Sequence, residues 1–244
     1  MSQVVQKICV AHGGLEKWDT IERLSCKASI KGLLFDLRGQ PDIFSDVDIE
    51  IECRTQKAIY RRCSDVNQYS VYEPGRVAIF EKNQLLAERS APRTHFKGRS
   101  RDQLWDKLDA VYFGGYAIWH YACAPFLFTH PDIRVRDGED WIEGNETWSR
   151  LHVTFPESIH SHCKEQVYYY NSAGLLQRMD YQADIVDSSI GVAHYMYDYI
   201  DIGGLKMPTR RRAFPRDSDC RHDPNLVLVD LTLNEYQVQP FPTA

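Results

Sequence analysis

No Cys-x-x-Cys pair occurs anywhere in the chain, although it holds 7 cysteines. Cys9, Cys26, Cys53, Cys63, Cys123, Cys163 and Cys220 are scattered and odd in number. That spacing excludes a zinc ribbon or a thioredoxin-like motif and argues against a disulfide framework. No glycine-rich phosphate loop follows any strand-like run, so nucleotide-binding folds are poor candidates. Positive charge is not in excess: the formal net charge is −5, and Arg210-Arg-Arg212 is too short a cluster to imply nucleic acid as a partner. The first ten residues, Met1 to Val10, lack the apolar run of a signal peptide. A reducing, cytoplasmic setting is therefore expected, in which the sequon Asn145-Glu-Thr147 carries no meaning. Internal repeats, low-complexity tracts and linker-like shifts in composition are absent too, and one domain over residues 1–244 is the economical reading.

What is present is aromatic and polar. Hydrophobic residues make up 43% and charged residues 26% of a 244-residue chain, enough to bury a sizeable core. Tyrosine alone contributes 14 residues. Tyrosine favours strands and the walls of ligand pockets, which tilts the reading toward β structure around a cavity.

Along the chain, helical spacing comes first. Val4, Val5, Ile8 and Ala11 form a stripe ended by Gly13-Gly14, and Leu15, Trp18 and Ile21 form a second, so helices are expected within about 3–21. His12 beside the glycines reads as a cap or turn residue. From Leu24 the period switches to two, with strands over 24–32, 46–53, 57–63, 68–73, 76–81 and 84–89. Glu73-Pro-Gly75 and Lys82-Asn83 supply turns. This is the pattern of an antiparallel meander.

Residues 101–128 break that rhythm. Leu104, Trp105, Leu108, Val111 and Tyr112 recur at helical steps, and no formal charge occurs between Asp109 and Phe128. The run approaches membrane-spanning length, yet Gly114-Gly115, His120, Pro125 and its tyrosines argue against a span. Two helices, broken near Gly114-Gly115 and ended by Pro125, are expected to pack into the concave face of a sheet. A second β series follows: 133–136, 140–144, 147–155, the stretch 162–214, and 226–236. Residues 216–225 read as an exposed polar loop.

The stretch 162–214 carries the densest polar load. Arg178 and Asp180 share one strand face with Gln182 and Asp184, while Met179, Tyr181, Ala183 and Ile185 share the other. Either the apolar set faces the cavity and the charged set faces water, or Arg178 and Asp180 lie inside as a close ion pair. Next, Gly203-Gly204 reads as a two-residue hairpin turn. It places Tyr195, Tyr197 and Tyr199 on a face with Arg212, Arg210 and Pro208. The opposite face carries His194, Met196 and Asp198 with Ala213, Arg211 and Thr209. Because Ile200 and Ile202 accompany the His194 face, that face is expected to look inward. His160 and His162 lie two apart and could join His152 or His194 around a metal if a strand ran through them. An exposed loop is the simpler expectation there, and no metal site is assigned.

Several of these segments resemble known proteins. His12-Gly-Gly-Leu-Glu-Lys-Trp18, Gly174-Leu-Leu-Gln-Arg-Met-Asp-Tyr181, Ala193-His-Tyr195 and Gly204-Leu-Lys-Met-Pro-Thr-Arg-Arg-Arg212 are similar to uncharacterised bacterial proteins. Those in turn resemble the outer-membrane lipoprotein-sorting (LolA-like) superfamily. The resemblance runs over most of the chain in element order. It implies a mainly β fold: an open, incomplete antiparallel barrel with inserted helices plugging a hydrophobic cavity. Lipoprotein-sorting proteins carry signal peptides and this sequence shows none, so the fold is carried over and the carrier role is not.

The function expected is soluble binding of a hydrophobic or amphipathic small molecule, or a lipid-like metabolite, without cofactor or stable membrane insertion. Trp105, Tyr112, Tyr116, Trp119, His120, Tyr121 and Met196 would line the cavity, with Arg178, His194 and Arg211 as polar anchors. The alternative is a cofactor-independent cyclase, isomerase or dehydratase of specialised metabolism, using Asp180, His194 and Tyr181 for proton transfer. A third reading is an association surface built from exposed Tyr195, Tyr197 and Tyr199.

Overall fold

Two helices open the chain, α1 (Gln3–Ala11) and α2 (Leu15–Asp19). The computed structural model describes residues 2–63 and 65–242. Strand β1 (Ile21–Lys31) is followed by a short helix α3 (Leu33–Leu37), for which the sequence gives no clear pattern. Then comes the first meander: β2 (Val47–Glu52), β3 (Lys57–Arg61), β4 (Gln68–Glu73), β5 (Arg76–Glu81) and β6 (Gln84–Ser90). After a 3₁₀ turn (Pro92–Phe96), helix α4 (Lys107–Cys123) and a second 3₁₀ turn (Phe126–Thr129) fill the middle of the chain. The second meander is β7 (Arg134–Asp137), β8 (Trp141–Glu143), β9 (Glu146–Thr154), β10 (Glu165–Tyr170), β11 (Leu176–Ala183), β12 (Asp187–Ile202), β13 (Leu205–Arg216) and β14 (Val229–Pro240).

All strand pairs are antiparallel, and the sheet runs β6-β5-β4-β3-β2-β1-β14-β13-β12-β11-β10-β9-β7, with β8 pairing only β9. The two meanders are thus joined back to back where β1 meets β14. The outer strands β6 and β7 do not pair with each other, so the barrel is open, as the resemblance implied.

Helix α4 is the core of the molecule. Every residue from Leu108 to Cys123 is buried, which a helix apolar all round requires. It is one continuous helix, not two broken at the glycines. The glycines are where it approaches the sheet: a Cβ on Gly114 would lie 2.9 Å from Phe44, and one on Gly115 would lie 2.2 Å from Tyr72. They let the backbone sit directly on the first meander, a close-approach role rather than a break. Asp106 caps the helix reciprocally with Asp109. The buried Asp109 carboxylate also accepts from Arg89 and Arg99, each at 2.7 Å. Among the described residues, no helix is long and apolar enough to cross a membrane.

The β12–β13 hairpin has the expected register. Tyr195 lies opposite Arg212, Tyr197 opposite Arg210, and His194 opposite Ala213. Gly203 and Gly204 turn the corner with φ of 62° and 95°. One irregularity changes the faces: Asp198 is exposed with φ of 56°, and Tyr199 turns toward the core in its place. The Tyr199 hydroxyl donates to the Leu176 carbonyl at 2.6 Å, and its ring meets the edge of His12. Ile200, expected inside, is 41% exposed. Tyr195 is buried and Tyr199 largely so, which leaves Tyr197 alone of the three tyrosines at the surface and removes the expected association ladder.

Candidate functional site

The two walls of the open barrel meet α4 differently. The first meander touches helix backbone at the glycines, whereas the second meets it through a layer of tyrosine, histidine and arginine. Arg211 on β13 donates from Nε to His194 Nε2 on β12 at 3.2 Å. His194 Nδ1 lies 3.3 Å from the Tyr181 hydroxyl on β11. Tyr181 is in turn hydrogen-bonded to Tyr121 on α4. The Tyr121 hydroxyl is 2.6 Å from His162 Nε2, and His162 Nδ1 is 3.1 Å from the Tyr116 hydroxyl.

One polarity satisfies this chain. A guanidinium only donates, so Nε2 of His194 accepts and its proton resides on Nδ1. Tyr181 receives that proton's hydrogen bond and passes its own to Tyr121, which donates to His162 Nε2. His162 Nδ1–H then donates to Tyr116. Both rings are neutral: burial, then the Arg211 cation and the His162 and His120 rings, hold His194 well below its ordinary pKa. Burial, followed by His120, Arg93 and Arg211, does the same to His162. His162 also stacks face to face on Tyr181 at 4.0 Å. No carboxylate among the described residues lies within ion-pair distance of Arg211. Its charge rests over the Tyr121 ring at 4.3 Å and beside the Met179 sulfur at 3.7 Å.

Next to this layer is an apolar cleft of about 250 Å³ between α3, α4 and strands β11–β13. Leu34 and Leu37 of α3 form one wall, Phe113 of α4 the floor, and Tyr181, Val192 and Ala213 the opposite wall. Arg38, Arg101, Asp102 and Asp187 stand at its mouth. A larger groove of about 870 Å³ beside the 155–164 loop mixes apolar residues, including Phe96, Phe155 and Ile185, with charged and polar ones such as Arg93, Lys97 and Lys164.

None of the residues expected to line the cavity or anchor a ligand borders the apolar cleft; Tyr181, named for the enzyme alternative, does, as does Ala183 of the same strand face. Trp105 packs edge-on among Phe35 and Phe96. Tyr112 bonds to His160 at 3.0 Å and to Arg93 at 3.3 Å. Trp119 donates to the Glu52 carbonyl at 2.9 Å. His120 bonds to Tyr168, and burial with the Arg211 cation lowers its pKa to about 3. Met196 is buried core beneath Tyr199. Tyr116 and Tyr121 belong to the polar chain. The space expected for a large central cavity is therefore filled by α4, of whose aromatics Phe113 reaches the cleft and Trp119 a separate pocket beside Trp18 and Phe126.

Arg178 and Asp180 correct both alternatives read from the strand. They lie on the outer face of β11, not in the core, yet they are buried rather than wet. Arg178 bonds Asp180 in bidentate fashion at 2.6 and 2.8 Å. Its guanidinium stacks over Tyr169, Tyr195 and Trp141 at 4.8, 5.2 and 5.3 Å. Asp180 also accepts from Tyr169 at 3.0 Å and pairs with Arg216 at 3.2 Å. Part of the 216–225 segment, expected to be an exposed loop, folds over this pair, placing the Cys220 carbonyl at 2.6 Å from Arg178 and His222 at 3.0 Å from Tyr195. Asp180 therefore cannot join His194 and Tyr181 as an acid–base trio, and Arg178 cannot anchor an interior ligand. His160 and His162 lie in a loop but point inward to separate tyrosines, Tyr112 and Tyr116.

No protein-family model matches the sequence, and no curated protein is similar to it at a significant level. Solved structures are similar in fold. A LolA superfamily protein from Nitrosomonas europaea superposes with a TM-score of 0.58 at 9% identity, over 98% of this chain and 94% of that one. A proposed outer membrane lipoprotein-sorting domain from Vibrio parahaemolyticus does so with a TM-score of 0.56 at 7% identity, over 99% and 93%. With its two meanders joined at β1 and β14 and wrapped around one buried helix, the chain has the LolA-like open-barrel fold.

Proposed function

We propose that this protein binds a hydrophobic or amphipathic small molecule in the cleft between α3, α4 and strands β11–β13. The observation that carries the reading is the cleft itself: its walls are almost wholly apolar, while the charged groups are confined to its mouth. That division suits a ligand with an apolar body and a polar end. The site is smaller than the central cavity expected from the sequence, since α4 occupies that space. At about 250 Å³ the cleft has room for an apolar chain. The fold is consistent with this reading, since one structural neighbour is a proposed lipoprotein-sorting domain, but the cleft supports it independently.

Calorimetric titration with 1-decanol tests the proposal, together with native mass spectrometry of freshly purified protein for a co-purified apolar ligand. Val186→Trp and Ile190→Trp add bulk from the accessible side of the cleft. Each is expected to weaken decanol binding at least ten-fold, whereas Leu85→Trp on the distant edge strand β6 leaves it unchanged. Wild-type protein that binds no decanol and carries no apolar ligand would sink the idea.

A further inference from the structure

Arg38 is the odd residue at the cleft. It follows α3, lines the mouth and is only 7% exposed. Its backbone is fixed, because its amide donates to the Leu34 carbonyl and its carbonyl accepts from Trp105. Its guanidinium, by contrast, has no hydrogen-bond or ion-pair partner among the described residues and lies 5.8 Å from the centre of the Trp105 ring. A cation set against apolar surface without a counter-charge favours any anion that can reach it. The other arginine at the mouth differs: Arg101 is exposed and stands 3.7 Å from Asp102 and 3.8 Å from Asp187. The four rim charges balance, but both carboxylates lie within ion-pair distance of Arg101 and neither within that distance of Arg38, so the Arg38 cation has no contact anion.

We infer that the cleft takes an anionic amphiphile, whose carboxylate or phosphate monoester pairs with Arg38 while its apolar chain runs inward past Phe113 toward Tyr181 and Ala213. This rests on the binding reading given above and names the chemistry of the ligand's polar end. Burial, helped by the nearby Arg99 cation, lowers the Arg38 pKa despite the longer-range pull of Asp102 and Asp187, in keeping with a cation that has no contact anion. A guanidinium offers parallel donors that fit either head group in bidentate fashion, and the Trp105 ring limits its swing.

The test compares four ten-carbon probes by calorimetry at neutral pH: decanoate, decyl phosphate, 1-decanol and decylamine. Wild type is expected to bind decanoate or decyl phosphate at least ten-fold more tightly than decanol or decylamine, and the better of the two anions identifies the head-group class. Arg38→Gln is expected to abolish that preference while keeping decanol affinity within about two-fold, and Arg38→Lys to retain most of it. Near-UV circular dichroism confirms that each variant keeps its packing. Equal binding of all four probes by wild type overturns the head-group inference and leaves the cleft reading intact. So does an anion preference that survives Arg38→Gln. Failure to bind any probe overturns both.

Discussion

Arg178 and Asp180 show how much a single side chain's setting decides. Alternation along β11 puts them opposite Met179 and Tyr181, and on most sheets that outer face would be wet. Here Trp141, Tyr169 and Tyr195 and the 217–228 segment cover it, so the pair is a second, smaller core on the convex side. A surface ion pair contributes about 0–1 kcal/mol, whereas breaking a buried one costs about 3–5 kcal/mol because the remaining charge is stranded. Asp180→Asn is therefore expected to lower unfolding free energy by about 3 kcal/mol while leaving decanol affinity near wild type. Urea denaturation and calorimetry on the same variant check both halves. A large loss of ligand affinity in a folded Asp180→Asn protein would contradict its placement outside the site.

At the level of elements, α4 and its two glycines determine how the barrel is filled. In an exposed helix, replacing glycine by alanine gains about 1 kcal/mol. At Gly115 the new methyl would sit 2.2 Å from Tyr72 Cγ, far inside van der Waals contact, and overpacking of that kind costs about 1–3 kcal/mol or more. The packing penalty wins, so Gly115→Ala is expected to lower the denaturation midpoint. An unchanged or raised midpoint would mean that the helix stands off the first meander. The second meander needs no such closeness. It reaches α4 through the Arg211–His194–Tyr181–Tyr121–His162–Tyr116 chain, in which each hydrogen bond polarises the next.

At the scale of the whole molecule, four imidazoles among the described residues, those of His12, His120, His162 and His194, are buried and held in the neutral form. Burial takes His12 to about 4 and His120 to about 3, and holds His162 and His194 well below the ordinary value of 6.5. Their folded-state pKa values lie below the unfolded ones, so between them the unfolded chain binds more protons. The stability these rings contribute is thus fully present above about pH 6.5. It falls as pH drops toward 4, by on the order of 1 kcal/mol per ring for each pH step. Urea midpoints at pH 7.5, 6.5, 5.5 and 5.0 check this before most carboxylates titrate. A flat profile over that range would contradict the burial of neutral rings.

Much of the architecture is legible in the sequence, because period and turn chemistry act locally. The strands over 68–73 and 76–81 lie where alternation placed them, and Gly203-Gly204 set the β12–β13 register residue by residue. The inward orientation of the His194 and Arg211 face matches the expectation drawn from Met196 and Ile202, whereas Ile200 of the same set is exposed. The rest depended on what covers each face. Asp198 in a left-handed conformation moved Tyr199 inward, and nothing in local alternation signals a φ reversal. Gly114-Gly115 reads as a break until Tyr72 and Phe44 are seen against it. The cleft needs α3, a five-residue helix without a clear period, and it needs Phe113 and Ala213 brought together from distant parts of the chain. Local sequence determined the strands, their register and which residues share a face. Only the tertiary structure decided which faces are wet, since burial is a property of two surfaces meeting and neither surface encodes it alone.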